Sequence, residues 1–269
     1  MRYLKSHKAL ISIAATATCL VTAILHTISM LSFYDEWGYF VSGAILPIIS
    51  CALVAFSVAA FVAGAYLCSD KDEQVNGPQG VVGYISLLPA AAMLIHAAGL
   101  VSSAVANADL FSVALLISAL ASAVFFIMIP FSKEYGSITA LCGVGFIIWL
   151  GLSWMSSYND LYIPMNSPEK LFFHFGCIGA ALLTVGELRA MFGIPKPALF
   201  RFSLWSAQLL TLTAALPTAV KFILKNAKTS MFSEHLVLLF LAVYAIARGI
   251  AITVADIREK KESTDNEEN

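Results

Sequence analysis

The sequence predicts an all-α polytopic transmembrane helical bundle. Three observations predict it: a mean hydropathy of +0.82, a charged fraction of only 12%, and eight apolar stretches of membrane-crossing length. Soluble domains carry roughly 25% charged and 45–50% apolar residues, whereas this chain of 269 residues is 59% hydrophobic. A hydrocarbon core takes a helix of about 20 apolar residues. The stretches cover 9–31, 40–67, 81–106, 110–131, 138–155, 171–192, 198–220 and 236–257. One transmembrane domain over 1–257 follows, with a tail at 258–269. The net charge of −1 argues against a basic nucleic-acid binder, so no nucleic-acid partner is expected.

The first stretch opens with Arg2, Lys5 and Lys8 and then runs apolar for more than 20 residues. No small-x-small cleavage site interrupts it, so it reads as an uncleaved span rather than a signal peptide. The second carries Pro47 and ends in a polar, turn-rich loop at 69–80. The third carries Pro89 and His96, and only Asn107-Ala108-Asp109 separates it from the fourth. The fifth is the shortest and is rich in glycine (Gly143, Gly145, Gly151). The sixth holds His174, Gly176-x-x-Gly179, Glu187 and Arg189; the seventh holds Pro217 and the eighth Arg248. Small residues at such spacing suit close helix contact. After Ile257 the tail is charged and has no apolar residue, so it is expected to be solvated and disordered. Five cysteines (19, 51, 68, 142, 177) form no C-x-x-C pair and are expected to be free thiols.

Cytoplasmic loops collect Lys and Arg. With the N-terminus inside, eight spans place eleven basic residues inside: Arg2, Lys5, Lys8, Lys71, Lys133, Arg189, Lys196, Arg201, Arg258, Lys260 and Lys261. Four lie outside: Lys170, Lys221, Lys225 and Lys228. The expected location is therefore the cell (inner or plasma) membrane, multi-pass, with both termini cytoplasmic. Lys221, Lys225 and Lys228 are the exception to the rule, which an interfacial helix after span seven, or a wrong span count, would explain.

The two halves are similarly spaced. Leu88-Pro89 and Leu216-Pro217 lie 128 residues apart, and aromatic-acidic loops follow the first and fifth spans (Tyr34-Asp35-Glu36-Trp37 and Tyr158-Asn159-Asp160). A 4+4 parallel repeat is a candidate architecture. Those loops also invite a cation site of carboxylates beside aromatic faces, although aromatic residues gather at membrane interfaces in any case. The run Pro164-Met165-Asn166-Ser167-Pro168-Glu169-Lys170-Leu171, then Gly186-Glu187-Leu188-Arg189 and Pro195-Lys196-Pro197, resembles an uncharacterised family of bacterial multi-pass membrane proteins. The resemblance covers about 40 residues of the second half and implies no activity and no functional residue.

Ionisable residues inside spans are functional candidates. Arg248 lies roughly 20 Å and Glu187 roughly 24 Å from the outer ends of their spans at about 1.5 Å per residue. They are the leading candidates for a buried ion pair or gate, with Arg189 as a competing partner for Glu187. Asp256 is expected at headgroups or beside Arg258. His26, His96 and His174 are candidates for a proton-linked or ligand-lining role; His26 and His174 share a depth of roughly 6–8 Å. Their spacing defines no metal site, and neither a metal nor a cofactor is expected. Pro47, Pro89 and Pro217 are candidate helix breaks, which in transporters can expose backbone to a solute.

No H-E-x-x-H, G-x-S-x-G or Walker motif is present, so no catalytic residue is assigned. The leading expectation is a small-solute permease or channel-like transporter. The alternative is a non-transporting membrane sensor, assembly factor or partner-binding subunit. The expected partners are the lipid bilayer, a small-molecule solute, and a membrane protein partner or second copy of the chain.

Overall fold

The computed structural model describes residues 7–35, 39–69, 75, 77, 78, 80–107, 109–131, 136–160, 164, 166–194, 196–225 and 231–267. Among them are nine α-helices: α1 Lys8–Ser32, α2 Ile45–Cys68, α3 Gly80–Ile85, α4 Leu87–Asn107, α5 Leu110–Phe131, α6 Ser137–Asn159, α7 Pro168–Met191, α8 Pro197–Lys225 and α9 Phe232–Glu267. With α3 and α4 sharing the third span, eight segments are long and apolar enough to cross a membrane. The face from which α1 starts is called near here, and the face where it ends far.

Local signals set the helix ends. Ser167 caps α7 by accepting from Lys170 N at 3.3 Å, with Pro168 just inside the helix. Gly193, at φ +67, stops α7 while Ile194 N donates back to Arg189 O at 3.0 Å. Asp109 caps α5, accepting from Ser112 N at 2.9 Å and Ser112 Oγ at 2.7 Å. Those donors, the backbone N–H first, hold its carboxyl below the usual carboxylate range.

The candidate helix breaks behave in three ways. Pro89 does interrupt its span. A proline ring clashes with the carbonyl four residues back, here that of Ile85, and α3 ends at Ile85 while α4 restarts at Leu87. Ser86 fills the gap, its hydroxyl lying 2.6 Å from Gly83 O and 2.7 Å from Phe126 O. Pro47 breaks nothing, because α2 begins at Ile45 and the first turn has no N–H to lose. Pro217 lies inside α8, which runs on to Lys225.

Several boundaries differ from expectation. α2 starts five residues late, after Gly43 at φ +82. α8 and α9 are longer than 198–220 and 236–257. The tail expected to be disordered from 258 is helical through Glu267. No Gly or Pro interrupts 258–267.

α8 is the hub: it packs along α7, α9, α1 and α2, while α4, α5, α6 and α7 follow one another and α4 closes onto α9. In α8's most apolar stretch 61% of residues are buried, against 28% in α2, so α2 is peripheral. Phe56, Tyr66, Val105 and Leu110 are among the exposed large side chains, the surface a bilayer would cover. The helix neighbours do not support the 4+4 repeat. Pro217's helix packs against the first, second, sixth and eighth spans. Pro89's packs against the fourth and eighth, not the second, fifth and sixth that the repeat requires.

Among the described residues three apolar clusters hold the bundle, two of them large. One runs through Phe125, Phe126, Phe146 and Trp149, with successive ring centroids 5.0–5.7 Å apart. The other surrounds Trp205 with Cys19, Phe61 and Phe172. Between α7 and α8 the backbones nearly touch. A Cβ on Gly176 would meet Ala214 Cβ at 2.7 Å, and one on Gly179 would meet Leu210 Cβ at 3.0 Å. Gly151, by contrast, faces nothing within 4 Å.

Gly176→Ala should therefore cost about 1–3 kcal/mol through overpacking. Gly151→Ala should be neutral or stabilising by up to about 1 kcal/mol. Thermal unfolding of the two variants in detergent checks the contrast.

Candidate functional site

Polar groups cluster at three depths along α7, α8 and α9. The first cluster is the Glu187–Arg248 pair. Arg248 Nε donates to Glu187 Oε1 at 2.9 Å, Nη2 lies 3.4 Å from Oε2, and Tyr244 Oη donates to Oε1 at 3.1 Å. Phe200 flanks the guanidinium, its ring centroid 5.2 Å from Cζ, a cation–π arrangement. Glu187 is 2% and Arg248 6% exposed. The pair sits nearer the near face than the midplane, since Glu187 is one turn, about 6 Å, from the end of α7. Gly186 makes this possible: a Cβ there would strike Ser203 Oγ at 2.6 Å, so only glycine brings α7 this close to α8. Arg189 takes no part. Two residues along a helix point to different faces, and its Nε is buried without a partner among the described residues.

The second cluster, closer to the near face, was not foreseen. Arg201 grips Asp256 with two parallel hydrogen bonds, Nη1 to Oδ2 at 3.0 Å and Nη2 to Oδ1 at 2.8 Å, and Nη1 also reaches Ser12 Oγ at 3.2 Å. Asp256 thus meets neither headgroups nor Arg258. Arg201, expected at an inside loop, is 1% exposed. The clue lay in the sequence: α8 begins at Pro197, so its first turn carries Arg201 inward onto α9. On the far side of both clusters Gln208 ties three helices, its Nε2 donating to Ala245 O at 3.0 Å and its Oε1 accepting from Thr16 Oγ1 at 3.1 Å.

The third cluster lies at the far face. Glu169, on the first turn of α7, is 3.6 Å from Lys221 Nζ on α8. That amine also sits 4.4 Å over the Tyr34 ring, just past α1. Lys221, an exception to the charge rule, is therefore paired inside a helix and is not a loop cation. Lys228 and the Lys225 side chain lie outside the described residues. Lys170 is 2% exposed and donates Nζ to Asp160 O at 2.5 Å and Tyr158 O at 3.4 Å. It caps the C-terminal carbonyls of α6, where a cation is favoured.

Each of the three candidate histidines finds a serine on a neighbouring helix. His26 Nδ1 lies 3.4 Å from Ser50 Oγ, His96 Nδ1 2.9 Å from Ser233 Oγ, and His174 Nε2 2.7 Å from Ser157 Oγ. They belong to separate places and do not converge. Among the described residues no group of three or more His, Cys, Asp or Glu is arranged to hold a metal ion. Ser233 in turn donates to Glu234 Oε2 at 2.9 Å, so His96 is linked to a carboxylate through one hydroxyl. The far-side loop carboxylate Asp35 accepts from Tyr39 N at 2.8 Å and closes a turn. Glu36 and Trp37 lie outside the described residues. Clefts on the bundle run between α1, α2 and Trp205 (about 330 Å³), between α1 and α9 (about 410 Å³), and between α2 and α8 (about 230 Å³); neither Glu187 nor Arg248 lines any of them.

Eight apolar spans wrapped around buried ion pairs decide the class. The chain is a multi-pass integral membrane protein. Neither a family model, nor a curated protein, nor a solved structure matches it.

The buried pair makes a stability prediction. Glu187→Leu or Arg248→Met alone leaves one charge buried and unpaired, and each should cost about 3–5 kcal/mol. The double variant removes both charges and should recover most of that loss. Unfolding of all three variants in detergent measures the cycle.

Proposed function

We propose that the protein is a non-transporting membrane component, a sensor or partner-binding subunit whose charged residues hold helices together. The observation that carries this reading is the closure of the Glu187–Arg248 pair. Two helices, a tyrosine hydroxyl and an aromatic face satisfy it, and neither residue lines any of the clefts described above. A gate for a polar solute needs a wet lining on at least one side. Here Phe200, Leu183 and Ala245 are among the buried core residues. The Arg201–Asp256 pair nearer the near face is closed in the same way. The resemblance of 164–197 to bacterial multi-pass proteins, and a location in the cell membrane with cytoplasmic termini, belong to the same proposal.

Water access to positions 187 and 248 tests it. One cysteine is placed at either site in an otherwise cysteine-free, folded variant, in native membranes. A thiol reagent that cannot cross lipid is applied from each face, with cysteines at 109 and 196 as loop controls. Both controls should label, and 187 and 248 should not. Labelling at either buried site at a rate near the controls would reverse the reading in favour of a small-solute permease.

A further inference from the structure

The cleft between α1 and α9, about 410 Å³, is the largest of the three described above. Ile13 and Leu20 on α1 and Ile250 and Val254 on α9 are its exposed walls, and Thr16 and Thr253 lie deeper. Both threonine hydroxyl protons are already used. Thr16 Oγ1 donates to Gln208 Oε1 at 3.1 Å, and Thr253 Oγ1 donates to Gly249 O at 2.9 Å. A polar occupant finds no donor here, whereas a hydrocarbon chain needs none. At 1.5 Å per residue the cleft runs from about 6 Å (Val254 below Arg258) to about 18 Å (Leu20 below Lys8) beneath the near face. One leaflet's hydrocarbon is about 15 Å thick, half of the whole core. The cleft therefore lies in the near leaflet and opens to its acyl chains.

The mouth of the cleft is basic. Arg258 follows Val254 by one helical turn, so Ile250, Val254 and Arg258 share a face of α9. Arg258 is exposed. Lys8 opens α1 on the other side. The sequence adds Arg2 and Lys5 before α1, and Lys260 and Lys261 after Arg258, against Glu259 and Glu262. Asp256 is already held by Arg201. Asp265 and Glu267 stand about 10 Å or more beyond Arg258 along α9, past the roughly 8 Å reach of a charge at physiological salt. A symmetric contact with a second copy through this cleft would set one basic mouth against another. An anionic headgroup meets the opposite field. We propose that the α1–α9 cleft binds an anionic phospholipid of the near leaflet, one acyl chain lying between the α1 and α9 walls and the phosphate at Arg258, within the field of Lys8. The planar guanidinium of Arg258 presents paired N–H groups to one phosphate. This assignment concerns α1 and α9 and holds whether or not the bundle transports.

Lipid titration into the purified full-length protein in detergent tests it, read by native mass spectrometry as the affinity of the first lipid adduct. The probes are dioleoyl phosphatidylglycerol and dioleoyl phosphatidylcholine, which share acyl chains and differ in net charge. The anionic lipid should bind at least fivefold more tightly. Arg258→Gln should weaken it about fivefold, the worth of one basic residue at a membrane surface, and leave phosphatidylcholine unchanged. Ala17 lines the cleft and is exposed, so Ala17→Phe fills the cleft from outside the core and should weaken both lipids at least fivefold. Ala59→Phe, at an exposed position of α2 away from the cleft, should change neither. The Tm of each variant without added lipid certifies that it is folded. Equal affinity for the two lipids would overturn the headgroup assignment, as would unchanged phosphatidylglycerol binding in folded Arg258→Gln. Unchanged binding in folded Ala17→Phe would move the site elsewhere. A dimer that Ala17→Phe dissolves would replace the lipid with a second copy of the chain.

Discussion

Hydrocarbon offers no hydrogen bonds, and that constraint organises this bundle. Every polar group carried into a span must find its partner within the protein. On α8 two threonine hydroxyls turn back onto their own helix: Thr211 donates to Ala207 O at 2.6 Å and Thr213 to Leu209 O at 2.9 Å. Where Pro89 interrupts the third span, Ser86 covers the carbonyls of Gly83 and Phe126.

Charges follow the same rule at higher stakes, and they rely on α7 and α8 lying close. Gly176, Gly179 and Gly186 let the two backbones approach, and the approach brings Glu187 to Arg248 across the end of α8. An isolated charge in this interior would cost several kcal/mol. The fold therefore couples two features that look unrelated in the sequence. A glycine row on α7 sets the geometry in which the carboxylate beside it finds its guanidinium on α9. Arg201 and Asp256 repeat the arrangement between α8 and α9 without a glycine, because two parallel hydrogen bonds of 2.8 and 3.0 Å are enough to hold a planar pair.

The architecture was largely legible. Apolar run length alone locates eight spans, and depth counted in residues brings Glu187 level with Arg248. Helix ends were less legible, and the site suffered for it. Beginning the eighth span at 236 rather than at Phe232 left Ser233, Glu234 and His235 in a loop, so a buried histidine and a carboxylate linked to His96 escaped notice. Beginning the sixth at 171 rather than Pro168 treated Glu169 and Lys170 as loop charges. Ending the seventh at 220 made Lys221 an outlier to the charge rule, when it is the partner of Glu169. The common cause is that hydropathy marks where apolar residues stop, while helices continue for a turn into the interface on caps such as Ser167. Charges in those last turns lie inside the fold although no window of apolar residues includes them. Across-helix partnerships, such as Arg201 with Asp256, are not legible at any window length, because sequence separation carries no information about which helices are neighbours.

The three clusters are not equivalent. Toward the near face, Arg201 and Asp256 are matched atom to atom, and Glu187 accepts on both oxygens. Toward the far face Glu169 and Lys221 stand 3.6 Å apart, with side chains 11% and 16% exposed. A pair that still reaches water loses little by being loose. Arg201 at 1% and Asp256 at 6% exposure have no such outlet and need matched partners.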